Sequence, residues 1–150
     1  MNRTEARELA VRLCYEISAK ECSYEDVLSQ MFSREYFDSL AQEDVLYSSY
    51  PDEKQKDYIT TLVKGIGEHS AELDGYVAKY AKGWQFARIS RTALAVMKTC
   101  MYETMYMPEI PRRAAVNEAV ELAKKYDAPE TVAFVNGVLG SFLREELAAL

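Results

Sequence analysis

Apolar residues recur at three- and four-residue intervals along most of the chain, the spacing that lays one stripe down the side of an α-helix. Ala6, Leu9, Ala10, Leu13 and Ile17 form the first stripe. At about 100° per residue, Arg7, Val11 and Tyr15 fall opposite that stripe or well to its side. Ser23, with Asp26 in the capping-box position, opens a second short pattern carrying Val27, Leu28, Met31 and Phe32. Residues 33–50 are less regular, with one or two helical turns suggested by Tyr36, Phe37 and Leu40 before an acidic, Ser- and Tyr-rich link.

Pro51 and Asp52 supply helix-start chemistry: a fixed φ, and an acid facing the positive helix end. The helix they start carries Tyr58, Ile59, Leu62, Val63 and Ile66. Gly67 and Ser70 punctuate it, and Leu73, Tyr76, Val77 and Tyr80 mark the next helix until Gly83. Ser90 is placed to cap a long helix through Met107 whose apolar residues lie almost all round, which predicts a central position. Pro108 and Pro111 divide it from a helix over 112–126, with Ala115, Val116, Ala119, Leu122, Ala123 and Tyr126 on one face and Asn117, Glu121 and Lys124 on the other. A final helix runs from about Pro129 toward Leu147. Gly137 and Gly140 lower its propensity by about 1 kcal/mol each relative to Ala, a cost that predicts close approach of another backbone. No stretch alternates with period two long enough to require a strand. The pattern predicts an all-α fold of about seven helices without internal repeats.

The 150-residue length favours a single domain over 1–150. With 18 Lys+Arg against 24 Asp+Glu the net charge is −6, which on its face argues against a nucleic-acid partner. Catalytic chemistry is missing. There is no phosphate-binding or dinucleotide-binding glycine motif, and Gly65-Ile66-Gly67 resembles only a helix terminus. The one histidine, His69, reads as a helix C-terminal residue facing the negative dipole end. Cys14, Cys22 and Cys100 lack metal-ligand spacing and form no disulfide framework, so they predict reduced thiols in the cytoplasm, with Cys14 and Cys100 as small buried helix residues. No metal, no cofactor and no enzymatic activity are expected. The N-terminus leads into an amphipathic stretch instead of a signal region, and no window approaches 18 uninterrupted apolar residues, so no membrane association is expected.

Two C-terminal blocks change the odds. Ile110-Pro111-Arg112-Arg113-Ala114-Ala115-Val116-Asn117-Glu118-Ala119-Val120-Glu121-Leu122-Ala123-Lys124-Lys125-Tyr126 resembles the signature helix of the NusB transcription antitermination family. Phe134-Val135-Asn136-Gly137-Val138-Leu139 resembles that family's other signature, in the same order and at the expected spacing. Ala6-Arg7-Glu8-Leu9-Ala10 leading to Tyr15, and Tyr102-Glu103 ending the central helix, agree. The resemblance covers essentially the whole chain, strongest over 86–143 and weakest over 20–57.

This resemblance implies two small packed helical bundles without catalytic activity. It implies binding of boxA RNA in nascent ribosomal-RNA transcripts together with NusE (ribosomal protein S10), within an RNA polymerase antitermination complex. A related domain precedes some rRNA cytosine methyltransferases, a reading for which these 150 residues are expected to lack the catalytic part. Carried over residue by residue, the family's RNA surface falls on Arg3, Arg7 and Tyr15: arginines suited to phosphate, and a tyrosine suited to stacking on an unpaired base. Where the family runs several arginines consecutively, Thr4 and Glu5 intervene here, which predicts fewer phosphate contacts. Phe134 matches a position at the RNA edge, with core packing as the alternative. Glu130, in the first turn of the last helix, would repel a passing phosphate. Asn136 and Gly137 read as structural, satisfying buried backbone groups and admitting a close helix crossing. Asn117 and Glu121 are either solvated or protein-partner contacts toward NusE. The competing reading is a helical protein-interaction or homodimerisation module with little RNA affinity.

Charge then looks different. Residues 21–53 carry one cation and nine acids, whereas 1–20 and 54–91 are net +1 and +3 and 92–150 is net −2. The acidity is concentrated in the part least like the family, so an RNA surface is expected away from 21–53, with modest, partner-assisted affinity.

Overall fold

The computed structural model describes residues 1–149, which form two helical units, Met1–Gly67 and a second beginning at Glu68. The first contains α1 (Arg3–Lys20), α2 (Tyr24–Met31), α3 (Arg34–Leu40), a 3-10 turn at Val45–Ser48 and α4 (Glu53–Glu68), whose last residue opens the second unit. The second contains α5 (Ser70–Tyr80), a short 3-10 turn at Phe86–Arg88, α6 (Arg91–Tyr106), α7 (Arg112–Tyr126) and α8 (Pro129–Ser141). α8 continues into a π-helical turn at Phe142–Glu146 and a 3-10 turn at Leu147–Ala149. The described residues thus hold eight α-helices and no strand, the all-α architecture that the period-3.6 pattern predicts.

Local chemistry sets most boundaries. Asn2 and Glu5 form a reciprocal capping box at the start of α1, and the Ser23, Ser33 and Ser90 hydroxyls accept from backbone amides in the first turns of α2, α3 and α6. Asp52 accepts from the Gln55 amide at 2.8 Å, and Pro129 occupies the first turn of α8. In the first unit Ala6, Leu9, Ala10 and Leu13 of α1 are fully buried, as are Phe37, Ile59 and Leu62. Removing a large apolar side chain of this kind from water stabilises the fold by roughly 1.5–3 kcal/mol. Phe37 also anchors the irregular segment 33–50, taking edge contacts from Tyr47 and Tyr50 at 5.3 and 5.1 Å.

α6 is the centre of the second unit, packing against α5, α7 and α8. It buries Val96, Met97, Cys100 and Met101 together with the polar Thr99, Glu103 and Thr104. The threonine hydroxyls are satisfied within the helix, Thr99 donating to the Ala95 carbonyl at 2.8 Å and Thr104 to that of Cys100 at 3.0 Å.

Several local expectations are revised. His69 directly follows the last residue of α4, at the helix end the sequence predicts, but it is also the N-cap position of α5, and its ring pairs with Glu72 at 3.2 Å and lies 4.3 Å from the Tyr106 ring. Cys100 is buried but Cys14 only partly so. Tyr126, placed by periodicity on the inner face of α7, is 39% exposed because it occupies the last turn.

Candidate nucleic-acid interface

The N-terminal arm is built on α1 and α4. With the first turn of α1 fixed by its capping box, the Arg3 guanidinium lies 3.8 Å from the centroid of the Tyr58 ring, and its Nε donates to Gln55 Oε1 at 3.2 Å. One face of the guanidinium is thereby occupied by an aromatic ring while the residue as a whole stays half-exposed. Arg7 lies 5.7 Å from the same ring but is only 4% exposed. The helical-wheel expectation of an outward Arg7 is therefore reversed. Tyr58 of α4 covers that side of α1, and Glu8 and Val11 are buried beside it, so more than one stripe of α1 is enclosed. Tyr15, at 43%, is exposed as expected. Arg3 and Arg7 thus converge on one tyrosine, whereas Tyr15 lies about 18 Å of helix rise from Arg3, too far to share a nucleotide with it. Arg12, between them, is tied to Glu8 at 3.2 Å and Asp44 at 2.8 Å.

In the second unit Phe134 of α8 is half-buried, and what covers it is Trp84, with ring centroids 4.3 Å apart and planes at 35°. Gly83 makes this possible: its φ of 81° lies in the left-handed region that a side chain disfavours, and it turns the chain just after α5. Trp84 is 42% exposed. Glu130 is exposed in the first turn of α8, one turn before Phe134. Asn117 and Glu121 are exposed on α7, with Glu121 held by Lys124 at 3.1 Å.

Asn136 and Gly137 do not serve the interior. Both are exposed, and a Cβ built on Gly137 would meet nothing within 4 Å. At Gly140 the neighbour is the Arg144 guanidinium, 3.0 Å from the same hypothetical atom. No backbone crosses at either glycine; this side of α8 faces outward.

Trp84 and its flanking cations were not singled out from sequence. A signal was nevertheless present: residues 75–102 hold Lys79, Lys82, Arg88, Arg91 and Lys98 and no acid, in a chain of net charge −6. Of these, Lys79 is paired with Glu146 at 2.8 Å and Lys98 with Asp74 at 2.9 Å. Lys82 and Arg88 are exposed within the loop that carries Trp84, and Arg91 is exposed at the start of α6. The hydrogen bond from Lys79 holds the Glu146 carboxyl below its ordinary range. Burial pushes the Asp127 carboxyl upward, and its Oδ1 accepts a long hydrogen bond from the Ser90 hydroxyl at 3.5 Å. Tyr106, donating to Glu72, is pushed up to about 12. Among the described residues these shifts belong to structural pairs and assemble no general acid or base beside a nucleophile. Among the described residues no group of His, Cys, Asp and Glu is placed to hold a metal ion, and no helix is long and apolar enough to cross a membrane. The arrangement suits binding: cations, exposed aromatic rings and a half-stacked arginine.

Comparison with known proteins agrees. The model of the NusB family matches residues 4–144. A transcription antitermination protein NusB from Acetivibrio thermocellus is 35% identical over 147 residues, covering 98% of this chain and 92% of the relative. One from Clostridium botulinum (strain Loch Maree / Type A3) is 34% identical, covering 95% of this chain and all of the relative. A solved T. maritima NusB superposes with a TM-score of 0.79 at 22% identity over 100% of this chain and 99% of that one, which shows a shared fold.

Proposed function

The chain belongs to the NusB family of transcription antitermination proteins, which are not enzymes, and we propose that it binds boxA RNA of nascent ribosomal-RNA transcripts together with NusE (ribosomal protein S10). In this reading it joins an RNA polymerase complex in the cytoplasm and favours read-through of terminators. The family match over residues 4–144 carries the reading. The half-exposed Arg3 on Tyr58, the exposed Tyr15 and the half-buried Phe134 support it at the residue level. Arg3 offers a phosphate a guanidinium already oriented by Tyr58 and Gln55, so less side-chain freedom is lost on binding. Arg7, being buried, positions Tyr58 beneath Arg3. Asn117 and Glu121 remain the residues proposed for NusE.

With one half-exposed arginine in place of a consecutive run, RNA affinity is expected to be modest alone and to rise with NusE. Fluorescence anisotropy of a labelled boxA RNA, titrated with the protein alone and with equimolar NusE, tests this. Tighter binding in the presence of NusE is the expected result. Flat titrations under both conditions, with a homodimer by sedimentation, would instead establish the protein-interaction reading.

A further inference from the structure

We propose that Trp84, seated on Phe134, is a stacking platform for an unpaired RNA base, with Lys82 and Arg88 of the same loop holding the adjoining phosphates. The inference rests on the RNA-binding reading above and assigns that RNA a contact which neither sequence signature contains. Every residue from Lys82 to Arg88 is exposed, yet the segment is ordered by its own hydrogen bonds. The Trp84 amide donates to the Ala81 carbonyl at 3.1 Å, that of Arg88 to Gln85 at 2.9 Å and that of Ile89 to Phe86 at 3.1 Å. Ile89, 8% exposed, pins the end of the loop to the interior. The indole is therefore held in place while much of it remains in water, with Phe134 against it at 4.3 Å. An ordered, exposed ring gives up little conformational freedom when a base stacks on it.

Charge selects the occupant. An aromatic surface for a protein segment requires no particular sign of charge, whereas RNA requires cations beside the ring. The loop that carries Trp84 holds two exposed cations, Lys82 and Arg88, and lies in a stretch, 75–102, that contains no acid in a chain of net charge −6. Acids on neighbouring elements include Asp127, whose carboxylate meets Ser90, Glu130, one turn before Phe134, and Asp74 and Glu146, which are paired with Lys98 and Lys79. Phe134 is accordingly a positioning residue that supports the indole from below.

The chain has a single tryptophan, so its intrinsic fluorescence reports on this loop alone. Titration with unlabelled boxA RNA, with NusE present if the anisotropy assay requires it, is expected to quench that emission with the same midpoint as the anisotropy change. If NusE contains tryptophan, a NusE variant with those residues replaced by phenylalanine keeps the signal specific. Trp84→Ala should weaken RNA binding about fivefold or more, and Trp84→Phe should retain most of the affinity. Arg88→Ala should lower the slope of log K against log salt. Unchanged emission at saturating RNA together with full affinity of Trp84→Ala would overturn the proposal while leaving the RNA reading intact. Loss of NusE binding but not of RNA binding by Trp84→Ala would overturn it in favour of a protein contact. Flat wild-type anisotropy would remove both readings at once.

Discussion

Arg3 and Arg7 stand four residues apart on one helix and meet one tyrosine, yet their surroundings give them different work. Arg7 is enclosed, so its guanidinium is part of the packing between α1 and α4; Arg3 keeps part of its surface in water. Truncating a buried polar side chain removes packing and leaves former partners unsatisfied, a loss of about 1–3 kcal/mol. Truncating a half-exposed cation on an aromatic ring removes about 0.5–1 kcal/mol. Arg7→Ala should therefore lower the midpoint of urea unfolding clearly more than Arg3→Ala does. The RNA effects should run the other way: Arg3→Ala is expected to reduce the salt slope by about 0.7, the contribution of one phosphate contact on a single strand. Arg7→Ala should reduce affinity only as far as it disturbs Tyr58. Equal unfolding midpoints would contradict the positioning role given to Arg7, and an unaltered salt slope in Arg3→Ala would take Arg3 off the RNA.

At the scale of elements, what sequence revealed depended on how local the determinant was. The caps at Ser23 and Ser90, the proline start of α8 and the apolar circumference of α6 are written within a few residues of where they act, and all were readable. Burial of Arg7 was not, because it depends on Tyr58, which arrives from fifty residues away to cover a second side of α1. Trp84 was missed for a related reason. Its loop has no periodicity, and the Phe134 ring that seats the exposed indole arrives from fifty residues further along the chain. Gly137 is the instructive error: its cost in helix propensity suggested a tight crossing, whereas the helix is open to solvent there. A helix-interior glycine without close neighbours loses backbone entropy on folding and gains no contact in return. Gly137→Ala is therefore expected to stabilise the protein by about 0.5–1 kcal/mol, measured as a higher urea midpoint with an unchanged m value. Destabilisation would show that the outward side of α8 is covered in the folded protein. If stability rises while affinity for NusE or RNA falls, that side of α8 is a contact surface.

For the molecule as a whole, the net charge of −6 opposes RNA at long range, while the contacts proposed at Arg3, Trp84 and their neighbours act at short range. Salt separates the two. Screening beyond about 10 Å at 0.1 M ionic strength suppresses the general repulsion, and contact-range interactions survive longer. Two acids of equal charge make the comparison: Glu130 in the first turn of α8, one turn before Phe134, and Glu25 in the first turn of α2, within the acidic segment 21–53. Each lies at a helix N-terminus, so replacing either by glutamine forfeits a similar favourable helix-dipole interaction, about 0.3–1 kcal/mol, and stability does not confound the result. If RNA passes α8, Glu130→Gln should tighten boxA binding at low salt by more than Glu25→Gln does, because it removes repulsion at contact range as well as one unit of net charge. Raising the salt should erase the effect of Glu25→Gln first. Equal effects of the two substitutions at every ionic strength would mean that RNA responds only to total charge, and Glu130 would then lie off its path.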